Sequence, residues 1–198
     1  MLDPYADPAG AQERWLRLYY FGRAAFSALW VAAAFTLGQH ESSIAAVLLI
    51  VYPAWDALAN YADAAVSGGL GRNRTQSINA IVSLITALAV AMTLQSGMNA
   101  VLEVFGVWAI LSGLLQLGTA LRRWTSHGAQ WAMILSGGQS ALAGALFIVQ
   151  AQKPMPPSIG TIAGYAAVGA IYFLVSAVWL SVAMHRRAGG PARSAQAS

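Results

Sequence analysis

Apolar runs close to the length of a bilayer-spanning helix follow one another along almost the whole of this chain, and nothing else restricts its folding so severely. A helix needs about 20 apolar residues to cross the hydrocarbon core. Such runs fall at roughly 18–37, 43–62, 76–94, 100–121, 129–150 and 161–184. The links between them, "GQHESS", "AVSGGLGRNRT", "QSGMN", "RRWTSHG" and "QAQKPMPPSI", are too short to fold alone and rich in residues that end helices. A soluble core can absorb one or two apolar helices, but not a series of them. Only 9% of the 198 residues are charged and 58% are hydrophobic, against about 25% charged in an ordinary soluble domain. The chain reads as a polytopic membrane protein with no separate soluble domain.

The spans read as helices. Strands of a membrane barrel alternate polar and apolar positions, whereas "INAIVSLITALAVAMTL" and "AGYAAVGAIYFLVSAVWLSVAM" are apolar nearly all round. Lipid cannot satisfy a backbone amide, so each run must close its own hydrogen bonds. The expected fold is all-α and transmembrane, a six-helix bundle occupying residues 18–187. It is preceded by a cytoplasmic segment, 1–17, and followed by a polar, disordered cytoplasmic tail, 188–198.

Orientation follows from the basic residues. Arg14, Arg17, Arg23, Arg72, Arg74, Arg122, Arg123, Arg186, Arg187 and Arg193 belong with the N-terminus, the second and fourth links and the C-terminus, while the other three links hold only Lys153. That asymmetry places both termini in the cytoplasm. The net charge of +4 is therefore a topology signal and not a nucleic-acid footprint, since no basic helix or aromatic-interleaved patch collects the arginines. Anionic lipid headgroups are their expected partners. The first residues, "MLDPYADPAGAQE", lack the positive start of a secretory signal, so the first span is expected to remain as an anchor. Trp15, Tyr19, Tyr20, Tyr61, Trp124 and Trp131 sit where interfacial aromatics belong. With no cysteine, disulfide and thiol chemistry are excluded.

Internal similarity refines the architecture. "IVYPAWDALANYADA", "GVWAILSGLLQLGTALRR" and "GAIYFLVSAVWLSVAMHRR" align with Asp56, Ser112 and Ser176 equivalent, each followed by a small residue, Ala57, Gly113 or Ala177. The intervening spans align loosely. This pattern suggests three tandem two-helix hairpins, related about an axis along the membrane normal because each hairpin has an even number of spans. Pro53, and Leu180 where the other copies have Asn60 and Gln116, depart from strict symmetry.

Six spans in a short chain, tandem hairpins and "VFGVWAILSGLLQLGTALRRW" with its Ser112-Gly113 step resemble the HdeD-like short-repeat membrane proteins of bacteria, from about Arg23 to Arg187. The resemblance implies a bacterial inner-membrane, multi-pass protein of a family linked through its founding member to acid resistance. It implies no catalytic residue.

Signals for enzyme chemistry are weak. His40, His127 and His185 lie outside the spans at no metal-ligand spacing. "SGGLGRN" follows no strand, so it reads as a flexible loop and not a dinucleotide fingerprint. "NRT" at 73–75 matches a glycosylation sequon but falls on the expected cytoplasmic side. Ser126 and His127 adjoin in a loop without a third group. No catalytic, cofactor or metal site is expected.

Small residues four apart place Ala109 with Gly113, Ser140 with Gly144, and Gly160 with Gly164 on single helix faces, which lets another backbone approach. Helix packing is the favoured reading and a ligand groove the alternative. Self-association through these faces is also expected. Ionisable residues inside spans are functional candidates because hydrocarbon penalises them. Arg23, Asp56 and Glu103 qualify, Glu103 close enough to its span end to snorkel. Asp56 with Asn60 one turn away, and Asn79 and Gln116 at comparable depth, define a candidate polar cluster in the cytoplasmic half. Pro53 would free a carbonyl nearby. Arg23 and Asp56 fall at similar depth on adjacent antiparallel spans, which predicts an ion pair.

Two functions remain in view: a structural or stress-related membrane protein whose polar residues hold helices together, and a small transporter or proton channel in which Asp56 titrates. An intramembrane enzyme is the least favoured.

Overall fold

A computed structural model describes residues 8–122 and 130–189. Arg123, Trp124, Ser126, His127 and Arg193 lie outside the described residues, as does the tail from residue 190. Six long helices account for most of the rest: α1 Pro8–Ala33, continued by a π-helical turn Ala34–Gly38, then α2 Ser42–Val66, α3 Arg74–Thr93, α4 Met98–Arg122, α5 Gln130–Ala151 and α6 Ile159–Gly189. All six are long and apolar enough to cross a membrane. No strand occurs among the described residues.

The helices begin and end where backbone chemistry requires. Gly68 and Gly69 take φ of 106° and 95°, a region most side chains avoid, and the turn they make lets the Gly69 N–H reach back to the Ala64 carbonyl at 3.0 Å. The Asn73 amide closes the same loop by donating to the carbonyls of Ala64, Ser67 and Gly69. Two boundaries differ from the hydropathy reading. α1 starts ten residues before position 18, at Pro8, and α2 continues past 62 to Val66. In both extensions polar side chains bridge the helices, Gln12 to Ser67 and Trp15 to Asp63, and a hydropathy window stops short of them.

In space the six helices form a ring in which each packs on its sequence neighbours and α6 returns to α1. The packing is uneven. α2–α3, α4–α5 and α1–α6 are the intimate pairs, α3–α4 is intermediate, and α1–α2 and α5–α6 touch sparsely. The tightly packed units are therefore not the tandem pairs 1–2, 3–4 and 5–6 suggested by the repeat. α1 and α6 pair although they lie at opposite ends of the described chain, and they meet at the end of the bundle where α1 starts. Side chains from Gln12 to Ser67 and from Glu13 to Arg187 tie the start of α1, the end of α2 and the end of α6 together at that end.

The centre is aromatic. Trp30, Tyr52, Phe105, Trp108 and Phe147 form one buried cluster with Leu49, Leu102 and Ile162. Trp30 and Tyr52 have ring centroids 4.6 Å apart, and Tyr52 and Trp108 meet edge to face at 5.9 Å. Phe26 stacks on Trp55 at 4.5 Å. The Trp30 indole donates to the Leu48 carbonyl at 2.8 Å, next to the Leu49 carbonyl that Pro53 leaves without its helical partner.

Candidate functional site

The polar residues are gathered at mid-depth. Arg23 is the middle residue of the helical rod Pro8–Gly38, and Asp56, Ser83 and Trp108 each lie within two residues of the middle of α2, α3 and α4. Asp56, Asn60 and Ser83 are buried there by the surrounding helices.

Asp56 is the hub. Arg23 Nη2 donates to Asp56 Oδ1 in a buried ion pair. Ser83 Oγ donates to Asp56 Oδ2 at 2.7 Å, and Asn60 Nδ2 donates to the same oxygen at 3.0 Å and to the Asp56 carbonyl at 2.8 Å. Trp108 Nε1 donates in turn to Ser83 Oγ at 2.9 Å. Arg23 Nη1 donates to the Tyr19 hydroxyl at 3.1 Å, and the guanidinium carbon sits 4.3 Å from the centroid of the Phe173 ring on α6, within cation–π range. One carboxylate and one guanidinium thus connect five of the six helices. Among the described residues the buried donors Arg23 Nε and Trp55 Nε1 have no hydrogen-bond partner.

Below this hub the α1–α2 seam continues as a ladder. Trp15 Nε1 donates to Asp63 Oδ1 at 3.0 Å, Ser67 Oγ to the same oxygen at 3.1 Å, and Gln12 Nε2 to Ser67 Oγ at 2.8 Å. Residues 12, 15, 19 and 23 share one face of α1, as 56, 60, 63 and 67 share one face of α2, because both sets follow three- and four-residue steps. Asp63 is a further buried acid that the 43–62 span limit excluded. Glu103 is exposed, near the start of α4.

Two expected members stand apart. Asn79 is not joined to Asp56: its Oδ1 accepts from Ser112 Oγ at 2.9 Å on the α3–α4 seam, one rung from Ser83 and Trp108. Gln116, one turn beyond Ser112, has no hydrogen bond to the Asp56 network among the described residues. Similar depth does not imply a shared face. The three repeat-equivalent positions also diverge, since Asp56 binds across helices, Ser112 binds Asn79, and Ser176 donates to its own helix at Tyr172.

The small residues of α4 and α5 form a dry seam of a different kind. A Cβ added at Gly106 would lie 2.8 Å from the Gly144 carbonyl oxygen, and one at Gly137 would lie 2.8 Å from that of Gly113. The four glycines therefore allow direct backbone contact, and Ser140 Oγ, between them, donates to the Ala109 carbonyl at 2.9 Å. Gly113, Gly144, Ser140 and Ala109 are all in this seam. Gly106 and Gly137 complete it at seven-residue spacing, a period that a search for four-residue steps passes over. Gly160 has milder neighbours at 3.1–3.4 Å, and a Cβ at Gly164 would meet nothing within 4 Å. Gly164 is exposed, so close packing within the chain reaches Gly160 but not Gly164.

The Asp56 carboxylate accepts from a guanidinium, a hydroxyl and an amide. Such a site can fix helix rotation and depth. Among the described residues no group of three or more His, Cys, Asp or Glu side chains could hold a metal ion.

Comparison with known families finds a match over residues 78–149 to a model described as a short repeat of unknown function (DUF308), a membrane-associated family. The matched segment is less than half of the chain and covers most of α3, all of α4 and nearly all of α5. It contains the whole glycine seam, Ser83 and Trp108, but neither Arg23 nor Asp56. Comparisons with curated proteins and with solved structures return no match.

Proposed function

We propose that this chain is a structural integral membrane protein of the HdeD-like type, resident in a bacterial inner membrane, connected with acid stress and without catalytic chemistry of its own. The observation that carries the structural reading is the convergence of three donors on the Asp56 carboxylate. Its two oxygens accept from Arg23, Ser83 and Asn60, so the carboxylate acts as a convergence point for donors. A proton path needs groups that pass hydrogen bonds onward, and at Asp56 every bond terminates. The link to acid stress rests on the family resemblance. The orientation with both termini in the cytoplasm rests on the arginine asymmetry. Reporters fused after residue 72 should then be cytoplasmic and those after residue 97 external, and the reverse pattern would invert the topology.

The second reading, a small proton channel or transporter with Asp56 as its titrating group, draws on the mid-depth position of the ion pair, where ionisable residues often serve translocation. Reconstitution into proteoliposomes carrying a pH-sensitive dye separates the two. The structural reading expects proton flux equal to that of empty liposomes, for the wild type and for Asp56→Asn alike. Flux in the wild type that is lost in Asp56→Asn would establish the channel reading. Survival of a deletion strain after an acid challenge tests the physiological link.

A further inference from the structure

One side of α5 is taken up within the chain, by α4 at the glycine seam and by Tyr165 of α6, whose hydroxyl lies 2.8 Å from Ser140 Oγ. The opposite side is left uncovered. There Leu135, Leu142, Leu146 and Val149 are 53–63% exposed, and Gln139 falls among them. The positions 135, 139, 142, 146 and 149 alternate steps of four and three residues, the spacing of a helix-pairing seam, so the amide shares a face with the four apolar side chains. Gln139 is half-buried, lies within two residues of the middle of α5, and makes no hydrogen bond with any described residue.

An amide at that depth is costly to leave unpaired, because lipid tails offer it neither donor nor acceptor. It is about 14 Å from the start of α5 at 1.5 Å per residue, too deep for a glutamine to snorkel to water. We propose that this face pairs with the same face of a second copy of the chain, the Gln139 amide of each donating an N–H to the side-chain oxygen of the other. The group is self-complementary, since one amide carries both donor and acceptor. Two copies inserted with the same topology run parallel, and a two-fold axis along the membrane normal brings Gln139 beside its equivalent at equal depth.

The rest of the face suits that arrangement. α5 contains no charged residue, so parallel pairing sets no like charges against each other. A Cβ added at Gly138, next to Gln139, would meet nothing within 4 Å, which leaves room for a neighbouring backbone. A single polar residue within an apolar seam fixes register and partner number. Lipid tails can cover the leucines, but they cannot answer the amide.

The chain has no cysteine, so one introduced thiol reports one position. Full-length Leu142→Cys, reconstituted alone in vesicles of phosphatidylcholine and phosphatidylglycerol and oxidised with copper phenanthroline, should form disulfide-linked dimers. Leu84→Cys, exposed near the middle of α3, should not. Adding Gln139→Leu to Leu142→Cys should lower by about tenfold the lipid dilution at which half of the chains still cross-link, the factor expected for loss of an interhelical hydrogen bond in a bilayer. Because the Gln139 amide has no partner within the chain, folding of this variant should be unaffected, as its unfolding in mixed micelles will show. Cross-linking of Leu142→Cys no greater than that of Leu84→Cys would overturn the proposal, and is the result expected if a different membrane protein covers this face. An unchanged dilution midpoint in Gln139→Leu would also overturn it, by showing that the amide takes no part in pairing.

Discussion

The α1–α2 seam and the α4–α5 seam both hold two apolar helices in antiparallel register, and they do so with opposite chemistry. Along α1–α2 the backbones stand apart and long side chains bridge the space, ending in the Arg23–Asp56 pair. Along α4–α5 the side chains are removed, and Gly106, Gly113, Gly137 and Gly144 let carbonyl and backbone meet. In lipid, apolar area gives helices no reason to prefer each other, so association must come from close packing or from polar contacts. The bundle uses one device at each seam. The difference is also one of information: the glycine seam fixes distance and tolerates little bulk, whereas the polar seam fixes which residues face each other.

The two seams should respond differently to substitution. The largest single effect is expected at the hub. Asp56→Leu strands the Arg23 guanidinium and removes the carboxylate acceptor of Ser83 and Asn60, a change worth about 3 to 5 kcal/mol. Unfolding in mixed detergent micelles measures it, and a loss below about 1 kcal/mol would mean that water reaches the pair. Next is Gly113→Val, which drives a side chain into the Gly137 carbonyl and the Ala141 backbone. Overpacking of this kind costs about 1 to 3 kcal/mol, and a variant as stable as the wild type would show that the α4–α5 backbones are not in contact.

An effect of comparable size is expected where the two chemistries meet. Ser83→Ala removes one donor from Asp56 and the acceptor of Trp108 Nε1, for a loss of about 1 to 3 kcal/mol. Ser83→Thr keeps the hydroxyl and should retain most of the stability. If alanine and threonine behave alike, the hydroxyl is not part of the network. The smallest effect belongs to Gly164→Ile, at an exposed position with open space around it. Its stability should stay within about 0.5 kcal/mol of the wild type, and a large loss would reveal a close partner at that face.

Much of the fold was legible because hydrocarbon leaves so few solutions: runs of about 20 apolar residues, closed by Gly, Pro and Asn, had to be helices. The pairing was less legible. Nearly uniform apolar faces specify that a helix is buried in lipid or protein but not which neighbour it meets, and α1–α6 joins opposite ends of the sequence. At the site, Arg23 and Asp56 stood out because each is an expensive charge in an apolar run, at matched depth on adjacent spans. Ser83 did not, since a lone hydroxyl in "INAIVSLITALAV" also satisfies itself against its own helix. Asn79 and Gln116 were grouped with Asp56 by depth, but 79 and 83 on α3 face 112 and 108 on α4, and only the Ser83 rung also reaches α2. Trp15 and Asp63 were missed for a simple reason, since both lie in helical turns that a hydropathy window assigns to water.

The central claim is that Arg23 and Asp56 act as one structural unit, each present for the other. A double-mutant cycle with Arg23→Leu, Asp56→Leu and the combined variant, followed by unfolding in mixed micelles, tests this directly. Each single substitution leaves an uncompensated buried partner, whereas the double removes both. The account predicts that the double variant recovers much of the stability lost by either single one, giving a coupling of about 2 kcal/mol or more. Simple additivity of the two losses would contradict it, and would leave Asp56 as an independent group free to titrate.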